Sequence, residues 1–213
     1  MLSISVIGAV LVIVPVALGT VHMEGRCPNY IPVPNFNRSQ FLGEWYEIQR
    51  LELDELLNAD CVHVNYAMNV DGSTVNVRQR MQILENSPRT IEKRGYARYI
   101  DPTGRLVMIY NETDPTASIF DYYITHTDYH GYLIATSCEN VNNTHYAESA
   151  WVMSRGRTLP PSALTVVNQA TQHWNPAYFR HTNQDTRVCS SSHKMALASI
   201  ILLMALLTIL FLR

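Results

Sequence analysis

The chain has 213 residues, with 16 Lys and Arg against 18 Asp and Glu and a net charge of −2. That length suits one domain or two small ones, and the charge balance excludes a strong generic nucleic-acid patch. Residues 1–19 are nearly all apolar and end in Ala17-Leu18-Gly19, a small-x-small pattern that reads as a cleaved signal peptide. An N-terminal membrane anchor is the competing reading, since no Lys or Arg precedes the apolar run.

From Gly43 onward the chain reads as strands. Gly43–Arg50 is the first. In the second, Val62, Val64, Tyr66, Met68 and Val70 alternate with His63, Asn65, Ala67 and Asn69, the period of two of a half-buried strand. Asp71-Gly72 is a two-residue hairpin turn. Val75, Val77, Gln79, Met81 and Ile83 then alternate with Asn76, Arg78, Arg80 and Gln82. Further strands are read at Thr90–Ile100, Arg105–Asn111, Ser118–Thr127, Tyr132–Asn140 and His145–Arg155, with turn residues between them. Eight short strands at hairpin spacing favour a sandwich or a barrel. One helix is predicted from Pro160-Pro161-Ser162 to near His173 or Trp174, with Leu164, Val167 and Thr171 on one face. Tyr178–Thr182 fits a short last strand.

The C-terminal region has 18 residues without a charge, Met195–Leu212. This is long enough to span a bilayer core. It also fits a glycosylphosphatidylinositol (GPI) signal, with Ser190, Ser191 and Ser192 as the small triplet and Ser190 as the attachment site. The expected organisation is a signal peptide at 1–19, one domain at 20–190, and a C-terminal hydrophobic signal at 191–213. Processed at both ends, the chain keeps 14 Lys and Arg against 18 Asp and Glu.

Cys27, Cys61, Cys138 and Cys189 read as two disulfides in a secreted chain, and the sequence permits three pairings. Sequons at Asn37, Asn111 and Asn142 agree with that route. In a closed eight-stranded barrel, alternate residues would line one small ligand site. A wall of Tyr, Met and Val with a few polar points such as Gln79 suits an apolar ligand, although an ordinary β core has a similar pattern.

Three motifs then stand in order. Gly43-Glu44-Trp45-Tyr46, Thr127-Asp128-Tyr129 and Arg155 in Trp151-Val152-Met153-Ser154-Arg155 resemble the lipocalin motifs, most closely those of the apolipoprotein D and Lazarillo branch. The resemblance covers about Cys27–Cys189. It implies an all-β, eight-stranded antiparallel up-and-down barrel with one C-terminal α-helix packed on its wall. It implies structural roles for Gly43, Trp45, Tyr46, Thr127, Asp128, Tyr129 and Arg155, with Arg155 lying across the Trp45 ring at the closed end. It also implies the pairings Cys27–Cys138 and Cys61–Cys189.

The implied pocket set is Val64, Tyr66, Val77, Gln79, Met81 and Trp151, extended by strand parity to Tyr96, Tyr123 and Leu133. The implied ligand is a retinoid, fatty acid, sterol or bilin, with no required cofactor and no metal. Leu51, Leu53, Leu56 and Leu57 fall in the first loop, either as a lid over the mouth or as a helical turn packed on the barrel. The C-terminal signal leans toward the lipid-anchored insect type, on the outer face of the plasma membrane, with roles in lipid handling, stress protection or neural development. The alternative is a cell-surface adhesion protein that uses the barrel as a scaffold and has a protein partner. Eight histidines invite a search for an enzyme. There is no H-E-x-x-H and no G-x-S-x-G, and paired cysteines leave no nucleophilic thiol.

Overall fold

The computed structural model describes residues 21–51, 58–70, 72–84, 89–110 and 118–189. The N-terminal segment read as a signal peptide, Leu53, Leu56, Leu57, Asp71, Asn111, Ser190 and the C-terminal apolar run lie outside these residues. Eight strands form the barrel wall: β2 (Gly43–Leu51), β3 (Ala59–Met68), β4 (Thr74–Ile83), β5 (Arg89–Tyr99), β6 (Arg105–Tyr110), β7 (Ser118–Thr127), β8 (Tyr132–Asn140) and β9 (His145–Ser154). Each pairs antiparallel with the next, and β9 returns to pair with β2, closing the wall. Closure satisfies the edges that an open sheet would expose.

Two short strands extend this wall. β1 (Val21–Glu24) pairs with β9, and β10 (Phe179–His181) pairs with β2. The sequence pattern did not reveal β1, because four residues gain a strand conformation only from the neighbour that receives them. β2 and β3 pair only from Gly43↔Tyr66 to Tyr46↔His63 and then part. The C-terminal segment fills the seam. Thr182 N donates to Ile48 O at 3.0 Å, Cys61 N donates to Asn183 O at 2.9 Å, and Gln184 Nε2 bridges Glu47 O and Val62 O.

Both disulfides are formed, Cys27–Cys138 and Cys61–Cys189, with Cα separations of 5.8 and 5.5 Å. The first ties the N-terminal arm to β8. The second ties the tail to β3. Loops of 111 and 128 residues are closed, so each bond removes much freedom from the unfolded chain.

The predicted helix is a 3-10 turn (Pro161–Ala163) running into α2 (Leu164–Thr171). Its buried face is Ala163 and Val167, packed with Ile134, Ala150 and Val152 on the outside of β8 and β9. Leu164 is not on that face and is 47% exposed. The tight 3-10 entry rotates it outward and puts Ala163 against the wall. α1 (Arg38–Phe41) is a single turn before β2, capped by the Asn37 side chain.

Candidate functional site

Residues paired across neighbouring strands share a face, so the register fixes what points into the barrel. At the closed end lie Phe36, Phe41, Trp45, Tyr66, Leu106, Ile124 and Leu133, in one buried cluster. Trp45 is fully buried, its Nε1 donating to Phe41 O at 2.8 Å. The Arg155 guanidinium sits 3.7 Å from the Trp45 ring centroid. It donates to Tyr129 O, Glu44 O, Gln40 O and Phe41 O, so one cation ties together α1, β2 and the β7–β8 turn. Gly43 has φ +97°, and a Cβ there would meet Arg155 Nη1 at 3.4 Å, so glycine serves both the turn and the close approach.

The Thr127-Asp128-Tyr129 turn closes the same end. Thr127 Oγ1 accepts from Tyr129 N, and Asp128 Oδ1 accepts from the backbone N–H groups of His130, Gly131 and Tyr132. Burial raises the Asp128 pKa, but these N–H bonds outweigh it and hold the carboxyl below its ordinary value. The Tyr129 hydroxyl accepts from Asn37 N at 3.0 Å. Tyr46 points outward, with Arg157 over its ring.

The middle and open levels of the interior have a different composition. Val64 pairs with Gln79, and Gln79 pairs with Lys93, placing one amide and one amine on the inner face. Gln79 and Lys93 are both half-buried. Val77 is buried in the main cluster, and Met81 is buried with Ala59 and Val62 toward the open end. Trp151 is half-buried and packs against both clusters. Its ring lies 5.4 Å from Tyr122 and 6.2 Å from Phe120, and Phe120 lies 6.3 Å from Tyr110. The hydroxyls of Tyr66 and Tyr122 hydrogen-bond each other, and Tyr122 reaches Met153 Sδ at 3.9 Å. Burial pushes Tyr66, Tyr110 and Tyr122 well above the ordinary phenol value, so this wall carries neutral hydroxyls at physiological pH.

Glu47 and Arg50 add a buried ion pair at 2.5 Å on β2, both nearly inaccessible. Thr182 Oγ1 also donates to Glu47, and Arg50 Nη2 donates to Ala59 O. The pair therefore couples the barrel wall to the tail that fills the seam.

Strand parity misplaced two of the predicted pocket residues. Tyr96 pairs with Asn76 and Ile109, in phase with Glu92, Arg94 and Arg98, and faces outward. The inner positions of β5 at that level are Gly95 and Ala97. The backbone of β6 comes close at this point, and a Cβ on Gly95 would meet Ile109 O at 2.1 Å and Tyr110 Cα at 2.9 Å. Tyr123 pairs with Arg105 and Thr136 on the outside, 5.6 Å from Tyr30 of the arm. Tyr122, its neighbour, faces inward. The missed interior groups are Tyr122, Phe120, Tyr110, Lys93 and the Glu47–Arg50 pair. The charges of Asp121, Glu92 and Arg94 mark the outer phase of β7 and β5 and point to Tyr122, Phe120 and Lys93, and Arg105 does the same on β6 for Tyr110.

His126 and His130 stand four residues apart, but on a strand and a turn rather than one helical face. Among the described residues, no three His, Cys, Asp or Glu side chains are grouped to hold a metal ion.

A lipocalin-like domain is matched over residues 36–184, more than half of the chain. The chain belongs to the lipocalin family. Apolipoprotein D of Oryctolagus cuniculus is 26% identical over 153 residues, covering 72% of this chain and 78% of that protein. Insecticyanin-B of Manduca sexta is 26% identical over 156 residues, covering 71% and 74%. The solved structure of insecticyanin from Manduca sexta superposes with a TM-score of 0.66 at 22% identity, covering 80% of this chain and 93% of that one. H1 crustacyanin from the lobster Homarus americanus gives a TM-score of 0.64 at 18% identity, covering 78% and 92%. This lipocalin is of the apolipoprotein D branch. Lipocalins carry small hydrophobic ligands without a cofactor, and this one is a binding protein, not an enzyme.

Proposed function

We propose that this lipocalin holds one small apolar ligand with an acidic or acceptor head in the middle and open levels of the barrel. The observation that carries this is the joining of two features on one inner face. Trp151, Phe120 and Tyr122 form an aromatic wall, and Gln79 and Lys93 pair on the inner faces of β4 and β5. Burial of the apolar body supplies about 25 cal/mol per Å². Gln79 and Lys93 orient the head. Val64, Val77 and Met81 complete the wall; Tyr66 and Leu133 form its floor. Retinoids, fatty acids and bilins meet this description better than an uncharged sterol.

The test is titration of the full-length chain, from a eukaryotic secretory host, with retinoic acid, a long-chain fatty acid, a sterol and biliverdin, following tryptophan fluorescence. Saturable one-to-one quenching by an acid, reduced in Trp151→Phe and weakened in Lys93→Met by roughly tenfold as for a charged hydrogen bond, is the expected result. No saturable binding by a folded, disulfide-bonded protein would sink the carrier reading and favour adhesion through the loops and glycans.

The cellular setting is also a proposal. Two disulfides favour an oxidising, extracellular route. Asn37 and Asn142 are exposed and fit glycan acceptors, with Asn111 the third. Anchoring by GPI at Ser190 predicts release from cells by a phosphatidylinositol-specific phospholipase, and a chain that stays on the membrane would rule it out.

A further inference from the structure

A second pocket, of about 530 Å³, lies outside the barrel. Its walls are the arm at Asn29–Pro34, the outer face of β7 and β8 at Thr125, His126 and Thr136, and the end of α2 with His173 and Trp174. It falls within the about 300–1,000 Å³ typical of small-molecule sites. It is separated from the interior by one layer of chain, since Ala135 is buried in the inner cluster while Thr136 pairs with the outward Tyr123.

The arm is held in place over this space at both ends. Cys27 is bonded to Cys138, and Tyr30 donates a hydrogen bond to the buried Glu148. Farther along, Val33 N donates to Ile124 O and Val33 O accepts from Gly104 N, both at 2.9 Å. The pocket is therefore built by anchored chain on each side.

Two of its lining residues hold a polar atom that lacks a partner. Thr136 Oγ1 and Trp174 Nε1 are buried without a hydrogen bond, in residues only 1% and 4% exposed. Buried donors in native proteins are nearly always satisfied, so two in one pocket wall are unusual. An indole N–H can only donate and a hydroxyl can donate, so both fit an acceptor oxygen. None of the twelve lining residues is Asp, Glu, Lys or Arg. Burial also holds the His126 ring below its ordinary pKa, which favours its neutral form. Apart from its two histidines, the lining has no ionisable side chain of Asp, Glu, Lys or Arg to pair with an ionic ligand.

We propose that this pocket is a second ligand site, for a small uncharged apolar molecule that carries a carbonyl or ether oxygen. Both atoms lie beneath the pocket surface, so the oxygen reaches Trp174 Nε1 or Thr136 Oγ1 by a small shift of the lining side chains, and the apolar body lies along Ile31, Val33 and the Trp174 ring. The site is independent of the interior one, which is read as taking an acidic head.

Benzophenone is an uncharged probe with one carbonyl, and on irradiation it inserts into nearby C–H bonds. Irradiated with the full-length chain and mapped by peptide mass spectrometry, it is expected to label the segments 29–34 and 170–174. Trp174→Phe keeps the ring and removes the donor, and Thr136→Val is isosteric. Each is expected to weaken labelling at these segments by about three- to tenfold, the size of one neutral hydrogen bond. Both variants must retain the native thermal midpoint or exceed it. Labelling confined to interior strands, or labelling of the outer segments that neither variant changes, would overturn the proposal. Retinoic acid acts as the control: displacement of all outer labelling by an interior acid would also overturn a separate site.

Discussion

Two buried tryptophans separate the rigid end of this barrel from its outer pocket. Trp45 is inaccessible, its N–H bonded to Phe41 O and its face covered by the Arg155 guanidinium. Trp174 is almost as buried, with its ring tilted 4.0 Å from that of His173 and stacked 5.3 Å from Phe179, but its N–H has no partner. The first has both its apolar area and its polar group used by the protein. The second has only its area used. Burial alone therefore does not distinguish a plug from a binding surface; the hydrogen-bond account does.

The largest expected effect comes from removing the plug. Trp45→Ala should cost about 3–5 kcal/mol of stability, as large aromatic truncations in cores do. Urea unfolding measures this, and a cost under about 1 kcal/mol would show that the closed end repacks without it. Glu47→Ala should cost a similar or somewhat smaller amount, about 3 kcal/mol, because it strips the buried Arg50 of its carboxylate partner. It should also loosen the seam, seen as faster hydrogen exchange at Cys61 and Thr182, whose N–H groups bond Asn183 O and Ile48 O. Unchanged exchange there would separate the ion pair from the seam.

Arg155→Met should cost about 2 kcal/mol, combining the lost cation–π contact with lost bonds to backbone carbonyls. Asp128→Asn sharpens the comparison through pH. The folded pKa of Asp128 lies below its ordinary value, so its ionised form stabilises the fold above about pH 4 and that contribution disappears as pH falls through the folded value. The stability gap between the two proteins should be full at pH 6 and close in strong acid; a gap constant with pH would mean the carboxylate charge is irrelevant to the turn. The smallest effect is expected at the other tryptophan. Trp174→Phe should change the stability of the unliganded protein by less than about 1 kcal/mol, since no hydrogen bond is lost. A large loss in thermal or urea unfolding would place Trp174 with Trp45 as a structural plug.

Much of the barrel was legible in the chain because alternation with a period of two is a local signal. All eight wall strands appear within a residue or two of their predicted limits, and so does the short last strand. The closed end was legible through its motifs: Trp45, Arg155 and the Thr127–Tyr129 turn occupy the places the resemblance implied. The interior was less so. Alternation reveals two faces but not which one is inside, and in β5 and β7 both faces carry aromatics. Parity alone therefore puts Tyr96 and Tyr123 inward. The charged residues that share their phase were the better guide, since ions stay in water unless paired. Leu164 failed similarly, because a helical wheel has no way to register a 3-10 entry.

The sequence by itself determined the strand ladder, the presence of four cysteines in an even, pairable set and the motif residues of the closed end. These depend on neighbours two to four residues apart, or on side chains whose chemistry admits few uses. Only the tertiary structure decided which face of each strand is inside, that the tail fills the seam between β2 and β3, and that the arm spans a pocket on β7 and β8. Each of those depends on space left by residues far away in the chain. Gly95 has no room for a side chain because the backbone of Ile109 and Tyr110 on β6 approaches it, and Trp174 shares a pocket with the arm that the Cys27 disulfide holds to β8.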